Sequence, residues 1–565
     1  MSSEAKTGVF ICECSGEVGD RAGPGELRDF ASALQGVKFT GRHQAYCMPP
    51  GLEDIKKNIS EHGLDRVVIA GCSPRTHETL FMKSLAETGM NPYMIEIVNI
   101  RDHAACVSGD VETATSKAKT MIKTGVARAE RLVPLEEAAV KPEKSALIIG
   151  AGLSGLSAAK ELSKRGLKVC VVEREKQAGG MLNRFYTMLP GPHKTEEYLN
   201  KLIDALKKNG NVEFLYGSEV TSITGEGGRY EISIRNGNGG KKVKAGAIVV
   251  ASGLKEFVPS GLFAYDGKNV LTQSELESRM KKGLDPLKKT FVMIQCAGGR
   301  SDSIPYCSRT CCMTAVKNAM WLKEQRPSSE FYILFRDIYT GGPILERDLR
   351  TAVEKGVKFI RYEKEKPPVV SRNQEGAGIL PDMKIRVRDA LANAQREIAC
   401  DMVILSNPVI PFDDSERLAS IAGLRRDRFG FFADHYLRIK PSHFADRGVF
   451  VCGSAHFPMS PYECEVHAYG TASRAARFLL ADELKGNAFY SVVDEAKCVA
   501  CGLCEQICPY FAIRVNETDK GKKARSSGVN CLGCGTCAAG CPMKAIMMRH
   551  FTDEQIEGQI TAAGI

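Results

Sequence analysis

No run of eighteen apolar residues occurs in this 565-residue chain, so no membrane-spanning helix is expected. The opening MSSEAKTGVFICEC lacks a signal-peptide pattern. The net charge of +10 comes with no dense Lys/Arg tract interleaved with aromatics. That argues against a nucleic-acid surface and leaves docking to acidic protein partners, such as ferredoxins, as the use for the charge. Cysteine is missing from residues 171–295, yet the whole chain holds 21. With no export signal and with C-x-x-C clustering, that number argues for metal ligands in a reducing cytoplasm and against disulfides. A hydrophobic content of 43% and a charged content of 25% are those of a globular protein. The length allows roughly four modules.

The stretch Ser145–Glu173 organises what is there. Ala146–Ile149 reads as a short buried strand, followed by Gly150, Gly152 and Gly155 as G-x-G-x-x-G and a helix over Leu156–Arg165. The glycines serve a tight turn, close approach of the backbone to a pyrophosphate, and helix–strand packing. The helix N-terminus supplies N–H groups and a positive dipole end for that anion. Lys168–Val172 is the next strand, and Glu173 ends it with a carboxylate placed for a ribose hydroxyl. Gly179 and Gly180 follow. An acid at this point disfavours a 2′-phosphate, so FAD is the expected occupant. The chain returns to this frame twice. The strand Ala247–Ala251 ends at Gly253, and GVFVCGSA at 448–455 carries Gly453 and Ser454. Ser454 stands where many flavoproteins place Asp at the ribityl chain. A helix is expected over Val466–Leu480, a turn over GNGGKK at 237–242, and a tail without readable chemistry from Thr552.

A second βαβ unit runs through Phe291–Gln295, Met313–Glu324 and Phe331–Phe335, where a two-dinucleotide flavoprotein carries its NAD(P)H domain. Its turn is not G-x-G-x-x-G. It carries Cys296, Cys307, Cys311 and Cys312, which read as ligands of a 4Fe–4S cluster. A redox disulfide is disfavoured there, because the loop has no C-x-x-C. In the first 135 residues, Cys12, Cys14, Cys47 and Cys72 follow apolar runs. Loops at one edge of an α/β sheet can converge, so these are either ligands of one cluster or buried inert thiols.

The last module is the clearest. Cys498, Cys501, Cys504 and Cys508-Pro form C-x₂-C-x₂-C-x₃-C-P, repeated by Cys531, Cys534, Cys537 and Cys541-Pro. In such a two-cluster ferredoxin the fourth cysteine of each run serves the other cluster. One cluster then takes Cys498, Cys501, Cys504 and Cys541, and the other Cys531, Cys534, Cys537 and Cys508. Zinc is the weaker alternative.

These residues, with GVFICECSG near the start, LDRVVIAGCSPRTHETLF at 64–81, NPYMIEIVNIRDH at 91–103 and PYCSRTCCMTAVKNA at 305–319, resemble the A-type iron–sulfur flavoprotein of heterodisulfide reductase over nearly the whole chain. The resemblance implies clusters at both further cysteine sets and places Lys317 beside the flavin N5 as the catalytic residue. It implies partners of the heterodisulfide reductase B and C types, a hydrogenase- or dehydrogenase-linked iron–sulfur subunit, ferredoxin, and a dimer within a larger complex. Methanogen members carry an inserted ferredoxin module in the flavin domain, which the cysteine-free span lacks. Relatives also serve other complexes, including a benzoyl-CoA reductase.

The expected fold is α/β, a thioredoxin-reductase-like two-dinucleotide-domain flavoprotein with an N-terminal α/β domain and a C-terminal two-cluster ferredoxin domain. The segments are 1–135, 136–288 and 289–410, then 411–485, 486–550 and a tail 551–565. The expected function is that of a cytoplasmic oxidoreductase component with one FAD and four 4Fe–4S clusters, which bifurcates or confurcates electrons. A non-bifurcating relay and an NAD(P)H-dependent disulfide reductase are the alternatives.

Overall fold

The computed structural model describes residues 5–188, 194–237, 239–283, 289–372, 383–433, 443–444 and 448–564. The chain forms two compact units, one of Met1–Ala139 with Lys485–Ile565 and one of Val140–Leu484. Among the described residues no helix is long and apolar enough to cross a membrane.

In the first unit, β1 (Thr7–Cys12) is buried along its length and β3 (Arg66–Ala70) nearly so. With β2 (Val37–His43) and β4 (Ile95–Val98) they form a parallel sheet ordered β2-β1-β3-β4. Parallel neighbours need crossovers, made by α1 (Pro24–Ser32), α2 (Pro49–His62) and α3 (Pro74–Glu87). Each of the three starts with proline, whose missing N–H costs nothing at that position. α4 (Val111–Ala129) follows, capped by the Asp110 carboxylate on the Thr113 N–H. Because β1, β2 and β3 run the same way, the loops after them share one edge of the sheet.

The C-terminal segment of this unit pairs Ser491–Val493 with Ile546–Met548 and adds a hairpin, Ile513–Thr518 with Gly521–Ser526. The stretch expected to be a plain tail is a helix, Asp553–Ala563, opened by a Thr552–Gln555 capping box. It is tied to the end of α4, where Gln555 Nε2 donates to the Arg131 carbonyl at 2.9 Å. Arg128 donates to the His550 carbonyl at 2.8 Å, and His550 Nε2 lies 2.7 Å from the Val133 carbonyl.

The second unit holds two mainly parallel sheets. The first contains β5 (Ser145–Ile149), β6 (Lys168–Val172), β7 (Val212–Leu215), β8 (Ala247–Val250) and, near the end of the unit, Val449–Val451, with β5 central between β8 and β6. α5 (Leu153–Ser163) crosses from β5 to β6. The second sheet contains β9 (Val270–Thr272), β10 (Thr290–Ile294), β11 (Glu330–Phe335), β12 (Lys358–Arg361) and β13 (Met402–Leu405), in the order β9-β13-β10-β11-β12. α6 (Gln273–Lys282) and α7 (Cys311–Gln325) accompany it. Three antiparallel strands interrupt each sheet: Ser218–Glu226, Arg229–Asn236 and Gly239–Ala245 in the first, and Val369–Arg372, Met383–Asp389 and Ala394–Cys400 in the second. This repeated plan is the two-dinucleotide-domain flavoprotein fold.

Two local expectations are corrected. Gly239–Ala245, part of the expected turn, is a strand paired with Arg229–Asn236, because Val243 and Ala245 face Ile232 and Tyr230 across the ladder. Asn238 lies outside the described residues. The helix expected from Val466 begins at Pro461, where Ser460 and Glu463 form a capping box.

Candidate functional site

The first sheet builds a cradle at the carboxyl end of β5. A Cβ on Gly155 would stand 1.9 Å from the Gly150 carbonyl oxygen, so α5 packs this close only through glycine. A Cβ on Gly152 would meet nothing within 4 Å, so the loop faces open space there. Gly253 is equally open, and Gly179 bridges to Gly152 with Gly180 beside it. The buried Glu173 carboxylate accepts N–H bonds from Ala151 at 2.7 Å and Glu175 at 2.9 Å. Gly453 packs against Ser154, and its N–H donates to His467 Nδ1 at 2.9 Å. The Ser454 hydroxyl faces the Cys464 sulfur at 3.2 Å. The open backbone at Gly152 and Gly253 beside a buried acceptor at Glu173 fits FAD.

The second sheet puts cysteines where its sister puts glycines. Cys296 follows β10, and Cys311 and Cys312 open α7. Cys296 adopts a left-handed backbone, φ 56°, uncommon without glycine. Burial pushes its thiol up, against the pull of Arg336. A hydrogen bond from Cys311 brings Cys312 down to about 7, and Cys311 is correspondingly raised. The exposed Cys307 accepts the Arg309 N–H at 3.3 Å. The Arg309 guanidinium reaches the Pro458 carbonyl at 3.1 Å and Glu463 at 2.5 Å, tying this loop to the return segment of the flavin frame. Four sulfurs, two of them at a helix N-terminus, could hold a metal cluster.

Lys317 lies in the second turn of α7, and it is not a solvated surface lysine. Its side chain is 10% exposed and pairs at 2.7 Å with Glu277, which is 0% exposed. Its ammonium also donates to the Thr187 carbonyl at 2.8 Å. Burial lowers the lysine pKa, and Glu277 opposes that. Glu277 further accepts from the Tyr186 N–H at 2.6 Å and the Asn318 amide at 3.2 Å. Among the described residues, the hydroxyl of Thr187 and the amide oxygen of Asn318 are buried without a partner. Orphaned polar atoms beside a buried ion pair fit a polar ligand supplied from outside the chain. Sequence reading missed Glu277, which sits in an ordinary charged helix, QSELESRMKK, 40 residues from its partner.

In the first unit the sheet brings three of the four N-terminal cysteines within mutual reach. A hydrogen bond with Cys14 holds Cys72 down, to about 5, and Cys12 down, to about 7, while Cys14 is raised. Burial raises Cys47, which also feels Cys12 and Cys72. The Tyr46 N–H donates to the Cys12 sulfur at 3.4 Å. Cys14 and Ser15 are both left-handed, φ 51° and 54°, and the Ser15 and Gly16 N–H groups donate to the Gln44 and Glu13 carbonyls at 2.9 and 3.1 Å.

The C-terminal cysteines line two separate cavities. One is lined by Cys498, Cys501, Cys504 and Cys541, and the other by Cys508, Cys531, Cys534 and Cys537. Each thus draws three cysteines from one run and the fourth from the other. The two runs repeat at the backbone: Ala500 and Gly533, Gly502 and Gly535, and Phe511 and Lys544 are left-handed at equal offsets. The Ala512 and Ala545 amides donate to Cys508 and Cys541 at 3.3 and 3.4 Å. Sulfurs spread around a cavity suit a cubane, where a lone zinc ion needs them drawn to a point.

Residues 144–294 match the pyridine nucleotide-disulphide oxidoreductase family and residues 497–545 the 4Fe-4S dicluster domain. The A-type component of the H(2)/formate:CoB-CoM heterodisulfide,ferredoxin reductase of Methanococcus maripaludis is 31% identical, over 99% of this chain and 98% of its own. The chain belongs to the A-type family of heterodisulfide reductase subunits. Another member, the A-type iron-sulfur component of the CoB--CoM heterodisulfide reductase of Methanocaldococcus jannaschii, is 32% identical over 98% of this chain and 97% of its own. Among solved structures, T. acidophilum thioredoxin reductase matches 60% of this chain and 98% of its own at 17% identity, with a TM-score of 0.40. As a heterodisulfide reductase A-type protein, the chain is an oxidoreductase, a flavin and iron–sulfur electron-transfer subunit with a dicluster domain. The alignment with the M. maripaludis protein runs to 656 residues against 565 here, so that relative has chain which this one lacks.

Proposed function

We propose that this chain is the FAD and 4Fe–4S component of a cytoplasmic heterodisulfide-reductase-type complex, and that it divides electron pairs between a high-potential acceptor and ferredoxin, or merges them in reverse. Bound FAD would supply a junction between two-electron and one-electron chemistry, and four cubanes would supply one-electron conduits. Gly150, Gly152, Gly155, Glu173, Gly179, Gly180, Gly253, Gly453 and Ser454 form the cradle for FAD. The four cysteine sets, Cys12/14/47/72, Cys296/307/311/312 and the two ferredoxin sets, are the cluster ligands. Lys317 is the catalytic residue, an ammonium whose charge and N–H groups are held by Glu277 and Thr187. Partners are subunits of the heterodisulfide reductase B and C types, an iron–sulfur protein linked to a hydrogenase or dehydrogenase, and ferredoxin.

The observation that carries this reading is the loop after β10. Hydride delivery by NAD(P)H needs glycine-rich backbone at that place to hold the pyrophosphate, and cysteines with a helix N-terminus stand there instead. Shorter length than the methanogen relatives favours a second reading, a plain relay such as one serving a benzoyl-CoA reductase. The test is an anaerobic assay of the purified complex with ferredoxin. Ferredoxin reduction only while the high-potential acceptor is also being reduced supports division of the pair. Reduction regardless of that acceptor, or none in its presence, supports the relay.

A further inference from the structure

Two segments, GCSPRTHETLF and NIRDH, take no part in the function so far beyond Cys72, yet the fold delivers both to one sheet edge. Cys72 immediately precedes the N-cap of α3, and Ser73 caps that helix through the Arg75 N–H. His77 lies one turn further on. Helix side chains lean back toward the N-terminus, and the His77 ring accordingly returns to the Cys72 sulfur, with Nδ1 at 3.2 Å. Phe81, one turn on, packs beside the ring at 6.4 Å between centroids. NIRDH arrives from the far side of β3. Its Arg101 N–H donates to the Gly71 carbonyl at 2.9 Å, joining a short π-turn, Arg101–Ala105, to the loop that carries Cys72. Asp102 holds the guanidinium at 2.9 Å and is itself held by the Asn99 amide at 3.0 Å.

We propose that His77 sets the reduction potential of the cluster held by Cys12, Cys14, Cys47 and Cys72, by donating a hydrogen bond from Nδ1 to the Cys72 sulfur. The proposal rests on the reading that these four cysteines hold a cluster. A metal-bound thiolate has no proton to give, so at 3.2 Å the ring must be the donor. Reduction adds one electron to the cluster and neither makes nor breaks a bond. Part of the added charge falls on the ligand sulfurs, so a donor or cation there favours the reduced form and raises the potential. His77 is a positioning and tuning residue, acting through the ligand it touches.

The test is EPR-monitored redox titration of the full chain under anaerobic conditions. The N-terminal signal is identified as the one that Cys14→Ser removes together with its iron. In His77→Ala, iron content should match the parent, and that signal should titrate at lower potential. At fixed ambient potential the ratio of reduced to oxidised cluster should fall about tenfold, 59 mV for a one-electron couple. His77→Gln, whose amide can still donate, should recover part of the shift. An unchanged or raised midpoint in His77→Ala, or loss of the iron in both His77 variants, overturns the proposal. A Cys14→Ser protein with full iron and an unaltered spectrum removes the cluster reading itself, and the proposal with it.

Discussion

Lys317 and Glu277 are the sharpest point at which to perturb the second unit. Substituting Lys317 by Met keeps an apolar stem in the same space and removes the charge. Glu277, fully buried, then retains only the Tyr186 N–H and the Asn318 amide. Breaking a buried pair from one side costs about 3–5 kcal/mol, because the remaining charge is uncompensated. Two surviving donors put the expected cost near the lower end, about 3 kcal/mol, which is more than a hundredfold in an equilibrium constant. Glu277→Gln should cost a similar amount, since it strands the ammonium and turns an amide against the Tyr186 N–H. The double variant removes both charges and should be cheaper than the two singles summed, by at least about 2 kcal/mol of coupling. The assay is urea-induced loss of bound flavin, compared as midpoints at equal slope. The slope check matters because a two-unit cofactor protein need not unfold in one step. Singles costing under about 1 kcal/mol, or strict additivity in the double variant, would show that this pair does not operate as a closed buried ion pair. If Lys317 also acts at the flavin, the double variant should keep FAD and iron and still lose coupled ferredoxin reduction.

Anaerobically prepared protein should hold about sixteen iron atoms and one FAD, four irons per cubane; about eight irons would leave only the two ferredoxin cavities filled. NADH and NADPH should not bleach the flavin band rapidly in anaerobic stopped flow, and fast bleaching by either would return the cysteine loop to a nucleotide-binding role. Burial lowers the pKa of His550, whose Nε2 lies at the Val133 carbonyl. The unfolded chain therefore binds a proton before the folded one does, so this histidine's contribution is complete above its unfolded pKa and is lost as pH falls through the folded value. The midpoint of urea unfolding of the first unit should fall on acidification below about pH 6.5, and His550→Gln should flatten that slope.

What the sequence made legible was whatever is written in short spacings. The ferredoxin runs, the glycine frame and the cysteine loop are contiguous, and their order forecast the two sheets and both cavities. The start of the helix at Pro461 was also written there, as Ser460-Pro461 with Glu463 three residues after the cap, but an apolar period counted from Val466 passes over it. Burial of Lys317 could not be read that way. Its surroundings come from α6, from the segment around Thr187 and from α7, three stretches with no common spacing. His77 is similar: one turn of helix separates it from Cys72, and only a structure shows the ring turned back to the sulfur.

The crossing of the fourth cysteine between the two ferredoxin runs has a consequence for how this module is made and lost. Each cavity is walled by both runs, so neither half of the repeat is a finished container. Filling one cavity would anchor Cys541 or Cys508 at the far end of the opposite loop, and that anchoring would shape the second cavity before its metal arrives. Loading should therefore be cooperative, with half-filled protein scarce. Oxygen damage to either cavity should likewise release a strap of the other. A module built this way should be found with both cavities filled or both empty, as an electron conduit broken by one empty station requires.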